Sequence, residues 1–144
     1  MTVLDTVPVE GSADIAGPGW TAVCRLIDLA PERGAAALLD GTQVALVRLL
    51  DDRVLAVQQH DPFCDAHVLS RGIVGSRLVD GSDVPTIASP MYKQVFDLVT
   101  GRCLDRAGKD PVPGLDPDLR TWPVRVVDGT VLVGTDLLGT GGAP

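Results

Sequence analysis

Cysteine is scarce in this chain. There are three, Cys24, Cys64 and Cys103, set far apart. An odd, sparse count argues against a disulfide framework and for a reducing cytoplasm. Clustered positive charge is missing as well. The net charge is −7, and Arg25, Arg33, Arg48, Arg71, Arg77, Lys93, Arg102, Arg106 and Lys109 are scattered without a run. Binding along a phosphate backbone needs a concentrated basic surface, so a nucleic-acid partner is not expected. No apolar run reaches the roughly 18–20 residues of a membrane span. The N-terminus has neither a basic nor an apolar leader region, so no secretory signal is expected. No segment of helical length carries the three-to-four-residue apolar period, and no internal repeat is visible.

What is present is a succession of short strands. Of the 144 residues, 45% are hydrophobic and 22% charged, ordinary values for one globular domain with a core. Trp20–Leu26 reads as a first strand. Glu32-Arg-Gly34 turns into Ala35–Leu39, and Asp40-Gly41 is a hairpin signal leading to Gln43–Leu49. Asp51-Asp52 turns the chain back into Val54–Gln58. Further strands are predicted at Val84–Ala88, Val95–Leu98, Arg102–Leu104, Val124–Val127 and, after Asp128-Gly129, Thr130–Val133. This spacing predicts an all-β sandwich or barrel. The stretch Asp105–Thr121 holds Gly108, Pro111, Pro113, Gly114 and Pro117, which predicts a surface loop anchored by Trp122. A short helix is predicted near Pro117–Arg120. Residues 1–19 and 135–144 are Gly- and Pro-containing and are expected to be a flexible arm and tail around a domain of residues 20–134.

The chemistry-bearing residues concentrate in the middle of the chain. Cys64 and His67 form a Cys-x-x-His, and His60 lies four residues before Cys64. A closed zinc site would need a fourth ligand from Cys103 or Asp65. A lone Cys-x-x-His lacks the paired spacing that makes zinc motifs specific, so the expected reading is a solvated loop tip. Cys64 beside His67 has some parts of an activated nucleophile, but nothing in the spacing brings imidazole to thiol. Cys24 and Cys103 are expected to pack as small apolar residues. Asp61, Ser70 and Ser89 are read as loop-formers, whose short polar side chains bond nearby backbone amides. Phe63, Val68, Leu69, Met91 and Phe96 are expected to pack beneath these loops.

Two segments, Asp61-Pro-Phe-Cys-Asp-Ala-His-Val-Leu-Ser-Arg-Gly72 and Ser89-Pro-Met-Tyr-Lys-Gln-Val-Phe-Asp-Leu98 followed by Thr100-Gly101, resemble the two ligand loops of a Rieske domain. Such a domain needs Cys-x-His in the first loop and Cys-x-x-His in the second. Aligned on Leu69–Gly72 and on Ser89-Pro90 with Phe96–Leu98, the ligand positions fall on Pro62, Cys64, Ser89 and Tyr92. Proline has no ligating side chain, and Ser and Tyr replace thiolate and imidazole. Together with the Gly41–Arg48 and Val54–Val57 strands, the order of segments is similar to the small subunit of assimilatory NAD(P)H-dependent nitrite reductase over about residues 20–134.

The resemblance implies a Rieske-like [2Fe-2S] domain fold, antiparallel sheets in a sandwich or partly open barrel, without the cluster. It implies no catalytic, cofactor-binding or metal residues in this chain. It further implies a cytoplasmic partner, the large catalytic subunit, carrying FAD, siroheme and an iron–sulfur cluster. That complex reduces nitrite to ammonium in nitrate assimilation with electrons from NADH or NADPH. Arg71, Tyr92, Lys93 and Gln94 are the expected partner-binding candidates, and Tyr92 is further expected to fill space where the cluster would sit. Two other classes stay open at this point: a Rieske-type ferredoxin or oxygenase electron-transfer component, and a stand-alone binding or regulatory module.

Overall fold

The computed structural model describes residues 3–4 and 19–134. The strands in chain order are β1 (Val3–Leu4), β2 (Trp20–Arg25), β3 (Gly34–Leu39), β4 (Thr42–Arg48), β5 (Val54–Gln58), β6 (His60–Asp61) and β7 (Ala66–His67). They continue with β8 (Ile73–Val79), β9 (Ser82–Ala88), β10 (Val95–Asp97), β11 (Cys103–Asp105), β12 (Thr121–Trp122), β13 (Val124–Val127) and β14 (Thr130–Gly134). The only helical turns among the described residues are 3₁₀ turns at Leu26–Asp28 and Leu69–Arg71. The helix expected near Pro117–Arg120 does not form. That stretch is a bend in which Asp116 caps the Asp118 amide at 2.9 Å.

The strands form a five-stranded sheet ordered β1-β3-β4-β5-β12, a four-stranded sheet ordered β11-β10-β9-β8, a three-stranded sheet ordered β13-β14-β2, and the small pair β6-β7. Pairing is antiparallel except between β1 and β3. Antiparallel sheets thus stack as a sandwich, as expected. The period-two alternation of side chains explains the stacking. On β4, Val44 and Leu46 enter one core with Val23, Val131 and Val133 of the three-stranded sheet. Ala45 and Val47 enter a second core with Ile87 and Phe96 of the four-stranded sheet. The uninterrupted apolar run of β4 follows from burial on both faces. Fully burying a side chain such as Phe96 contributes about 1.5–3 kcal/mol.

Tight hairpins connect neighbours. Asp40-Gly41, Asp80-Gly81 and Asp128-Gly129 all adopt positive φ at both residues, the conformation whose twist matches flanking strands. Asp80-Gly81 joins β8 to β9, and β8 is a strand beyond those expected from the sequence. Trp122 pairs from β12 onto β5 and packs against the first core, anchoring the proline-rich loop as expected. Val3–Leu4, inside the predicted arm, pairs with Ala36 and Ala37 of β3. The rest of the expected arm up to residue 18, and the expected tail 135–144, lie outside the described residues.

Candidate functional site

The two loops meet at one end of the four-stranded sheet, and a buried carboxylate joins them. Asp61, with no solvent exposure, accepts the Phe63 amide on Oδ1 at 2.8 Å. Its Oδ2 accepts the hydroxyl of Ser89, itself fully buried, at 2.5 Å. The Ser89 Oγ also accepts the Met91 amide at 3.2 Å, and Ser89 exchanges backbone bonds with Lys93 and Gln94. Both residues are loop-formers, as the sequence suggested, and they also bond to one another across loops. Phe63 and Phe96 pack beneath with ring centroids 6.1 Å apart.

A second clamp was not anticipated. Gln59 is fully buried; its Oε1 accepts the Ser70 amide at 2.7 Å and its Nε2 donates to Ser70 Oγ at 2.9 Å. Its backbone oxygen accepts the amides of Val68 and Leu69, each at 3.1 Å. This closes the first loop around a side chain that carries no motif. The only available signal was an uncharged polar residue directly after the apolar strand Val54–Gln58.

The four positions aligned with Rieske ligands do not fit a [2Fe-2S] cluster. Pro62 has no donor side chain, and its carbonyl accepts the Val112 amide at 2.9 Å. Ser89 is committed to Asp61. The Cys64 thiol is pushed up to about 11 by burial first and the Asp61 carboxylate second, which favours the thiol over the thiolate that would ligate iron. Tyr92 is 41% exposed and Lys109 Nζ lies 4.6 Å over its ring, so it does not fill a void left by a cluster. Met91, expected under the loops, is likewise exposed, because Ser89 Oγ and the left-handed Lys93 (φ 67°) turn the tip outward. Val68 is half-buried, while Leu69 and Phe63 pack as expected.

The Cys-x-x-His residues do not converge either. His60 and His67 face each other across β6-β7 with rings 5.3 Å apart, and His60 Nε2 bonds Asp65 Oδ1 at 2.7 Å. Among the described residues no group of three or more His, Cys, Asp or Glu is placed to hold a metal. Cys24 is buried in the first core with its thiol pushed up to about 12 by burial and the Asp28 charge. Cys103 is half-buried against the second core, its pKa raised mainly by burial.

The partner-binding candidates separate. Gln94 is a correction: it has no exposure and faces inward, its Nε2 donating to Arg106 O at 3.3 Å and its Oε1 buried without a partner. Tyr92 and Lys93 are exposed at the tip. Arg71 is exposed elsewhere, in a cleft with Asp28, Glu32 and Arg33. Lys93 and Lys109 are the only lysines in the chain and Tyr92 the only tyrosine. Lys109 is stacked over the Tyr92 ring, and Lys93 is the next residue in the chain. Neither pairs with a carboxylate among the described residues. On a chain of net charge −7 this is a local basic spot. No described helix is long and apolar enough to cross a membrane.

Comparison with known proteins agrees with this geometry. A model of the Rieske-like [2Fe-2S] domain family matches residues 19–134. The chain is 38% identical over 87 residues to the nitrite reductase (NADH) small subunit of Escherichia coli strain K12, covering 60% of this chain and 77% of that one. A crystal structure described as an NADH-dependent nitrite reductase small subunit from Mycobacterium tuberculosis superposes with a TM-score of 0.68. It is 43% identical and covers 83% of this chain and 96% of that one. The chain is also 35% identical over 129 residues to a Klebsiella oxytoca protein named nitrite reductase [NAD(P)H] large subunit. There the match covers 90% of this chain and only 12% of the relative.

Proposed function

The chain belongs to the Rieske-like [2Fe-2S] domain family, among the small subunits of nitrite reductase, and from that membership we propose that it is the accessory subunit of a cytoplasmic NAD(P)H nitrite reductase. The large subunit carries FAD, siroheme and an iron–sulfur cluster and converts nitrite to ammonium. This chain makes and breaks no bonds. It docks on the large subunit and holds it in working shape.

The observation that carries this reading is the Ser89–Asp61 bond. Where a cluster-bearing domain needs a thiolate, this one places a hydroxyl that donates a hydrogen bond to a buried carboxylate of the other loop. The frame is held by internal hydrogen bonds in place of metal–ligand bonds. The tip it supports presents Tyr92 and Lys93, with Lys109 over the Tyr92 ring, an aromatic and two cations without carboxylate partners among the described residues, which suits a partner surface bearing carboxylates.

The test is biochemical. The purified chain contains no stoichiometric iron and shows no Rieske visible absorption, and it retains a large siroheme flavoprotein from the lysate of its own organism. Two irons per chain, or failure to retain that protein, would sink the reading. The ferredoxin alternative requires the first of those results.

A further inference from the structure

Among the described residues β8 ends its sheet, and across its seven residues it pairs with β9 alone. Which of its backbone groups are free follows from β9. The Leu98 amide donates to Pro85 O, and Ile87 pairs with Phe96, so the backbones of Pro85 and Ile87 face β10. Their partners on β8, Ser76 and Val74, therefore face away from β9, and Leu78 follows by the period of two. Val74, Ser76 and Leu78 present a row of N–H and C=O groups with no partner among the described residues. Edge strands are ordinarily blunted by proline, by a bulge or by charge. None of these three residues is charged or proline, and the register with β9 runs unbroken from Ile73 to Val79.

The same edge borders a groove. A cleft of about 660 Å³ lies between Asp28–Ala35 and Ser70–Val74, and one of about 230 Å³ lies between Leu49–Arg53 and Gly75-Ser76. Glu32 lines both, so the two run on along β8. Ile27, Leu50, Leu78 and Ile73, exposed by 78, 75, 71 and 66%, are the four most exposed large apolar side chains described. Ile73 and Leu50 line the groove, Ile27 adjoins the lining residue Asp28 in sequence, and Leu78 lies farther along β8 on the opposite face of the sheet from Ile73. Arg33 and Arg71 both line the larger cleft, and neither has a carboxylate partner among the described residues.

We propose that the free edge of β8 takes an extended segment of the nitrite reductase large subunit as an added strand, with apolar side chains of that segment on Ile73 and Leu78 and a carboxylate on Arg33 and Arg71. Main-chain bonds to Val74, Ser76 and Leu78 give the segment its register, and the groove gives it selectivity. The occupant is argued from the Klebsiella relative: there this unit is a small part of a much longer chain named as a large subunit, so its immediate neighbour is the rest of that chain. The proposal rests on the accessory-subunit reading and adds where contact is made.

The test uses the full chain and the purified large subunit of the same organism. Ser76→Pro removes one outward donor and takes no bond from β9, and Leu78→Lys puts a charge on the edge without touching the backbone. The wild-type chain must bind first; if it does not, the accessory reading itself falls. Given wild-type binding, each variant that melts at the wild-type temperature is expected to lose about tenfold or more in affinity. Unchanged affinity in both variants overturns the edge proposal and leaves the accessory reading standing. So does a wild-type dimer that either variant converts to monomer with large-subunit binding intact, since the edge then serves a second copy of the chain.

Discussion

Ser89 and Asp61 lie 28 residues apart in sequence, and the hydroxyl of one donates a hydrogen bond to the carboxylate of the other in a fully buried contact. The bond closes the two loops on each other. Ser89→Ala takes the Ser89 hydroxyl donor away from the buried Asp61 carboxylate, at a cost of about 1–3 kcal/mol. The thermal midpoint should fall accordingly. In a double-mutant cycle with Asp61→Ala, the double mutant should lose less than the sum of the two single losses. Additive losses would show that the contact does not couple the loops.

Cys64 is predicted to be a slow thiol. With its pKa raised from 9.0 to about 11, its thiolate fraction at pH 8 is about a hundredfold below that of an ordinary cysteine. Alkylation of the folded protein by iodoacetamide, followed by mass spectrometry, should show Cys64 reacting slowly at pH 8. Its rate should climb about tenfold per pH unit until near pH 11. A rate that levels off near pH 8 would mean an activated thiolate and reopen the nucleophile reading.

The Cys24 thiol makes stability depend on alkaline pH. Its pKa is raised by burial, so the folded chain keeps a proton that the unfolded chain releases near pH 9. Its contribution is complete below about pH 9 and is lost as pH climbs toward about 12. Urea midpoints measured between pH 8 and 10.5 should fall more steeply for wild type than for Cys24→Ala. Parallel slopes would assign the alkaline loss elsewhere.

At the tip, Lys93→Glu reverses one of two cations beside Tyr92. Binding to the large subunit should weaken by about tenfold at low salt, with the gap narrowing as ionic strength rises. Titration at two salt concentrations checks both parts. Lys93→Gly, which relieves the left-handed backbone, should raise stability by a few tenths to about 1 kcal/mol while still weakening binding.

Much of this was legible in the chain. The central strands β3, β4 and β5 were readable because apolar runs are bounded by turn residues. The loop frame was readable because Asp, Ser and Pro signal turns by their own chemistry. β8 was not readable: its residues are almost all exposed, Gly75 interrupts it, and its apolar residues come in adjacent pairs, Ile73-Val74 and Leu78-Val79, instead of alternating. Gln94 was expected at an exposed tip and is fully buried, bonded to Arg106 O twelve residues on; Gln59, which carries no motif, is buried against Ser70 eleven residues on. Tyr92 was expected to turn inward, yet Lys109, seventeen positions away, meets its ring at the surface. Pairings of that range leave no trace in local composition.

The proline-rich loop carries a consequence of its own. Its fastenings include Val112 N to Pro62 O, Gln94 Nε2 to Arg106 O, Cys103 N to Asp118 Oδ1, Leu119 N to Gly101 O and the Arg120–Gln58 bonds, none of which involves the Lys109 side chain. The cation over Tyr92 thus arrives on a separate brace, and the hydrogen bonds that shape the two loops do not depend on it. Position 109 can change sign or length and re-tune the electric field at the tip while the scaffold beneath stays as it is.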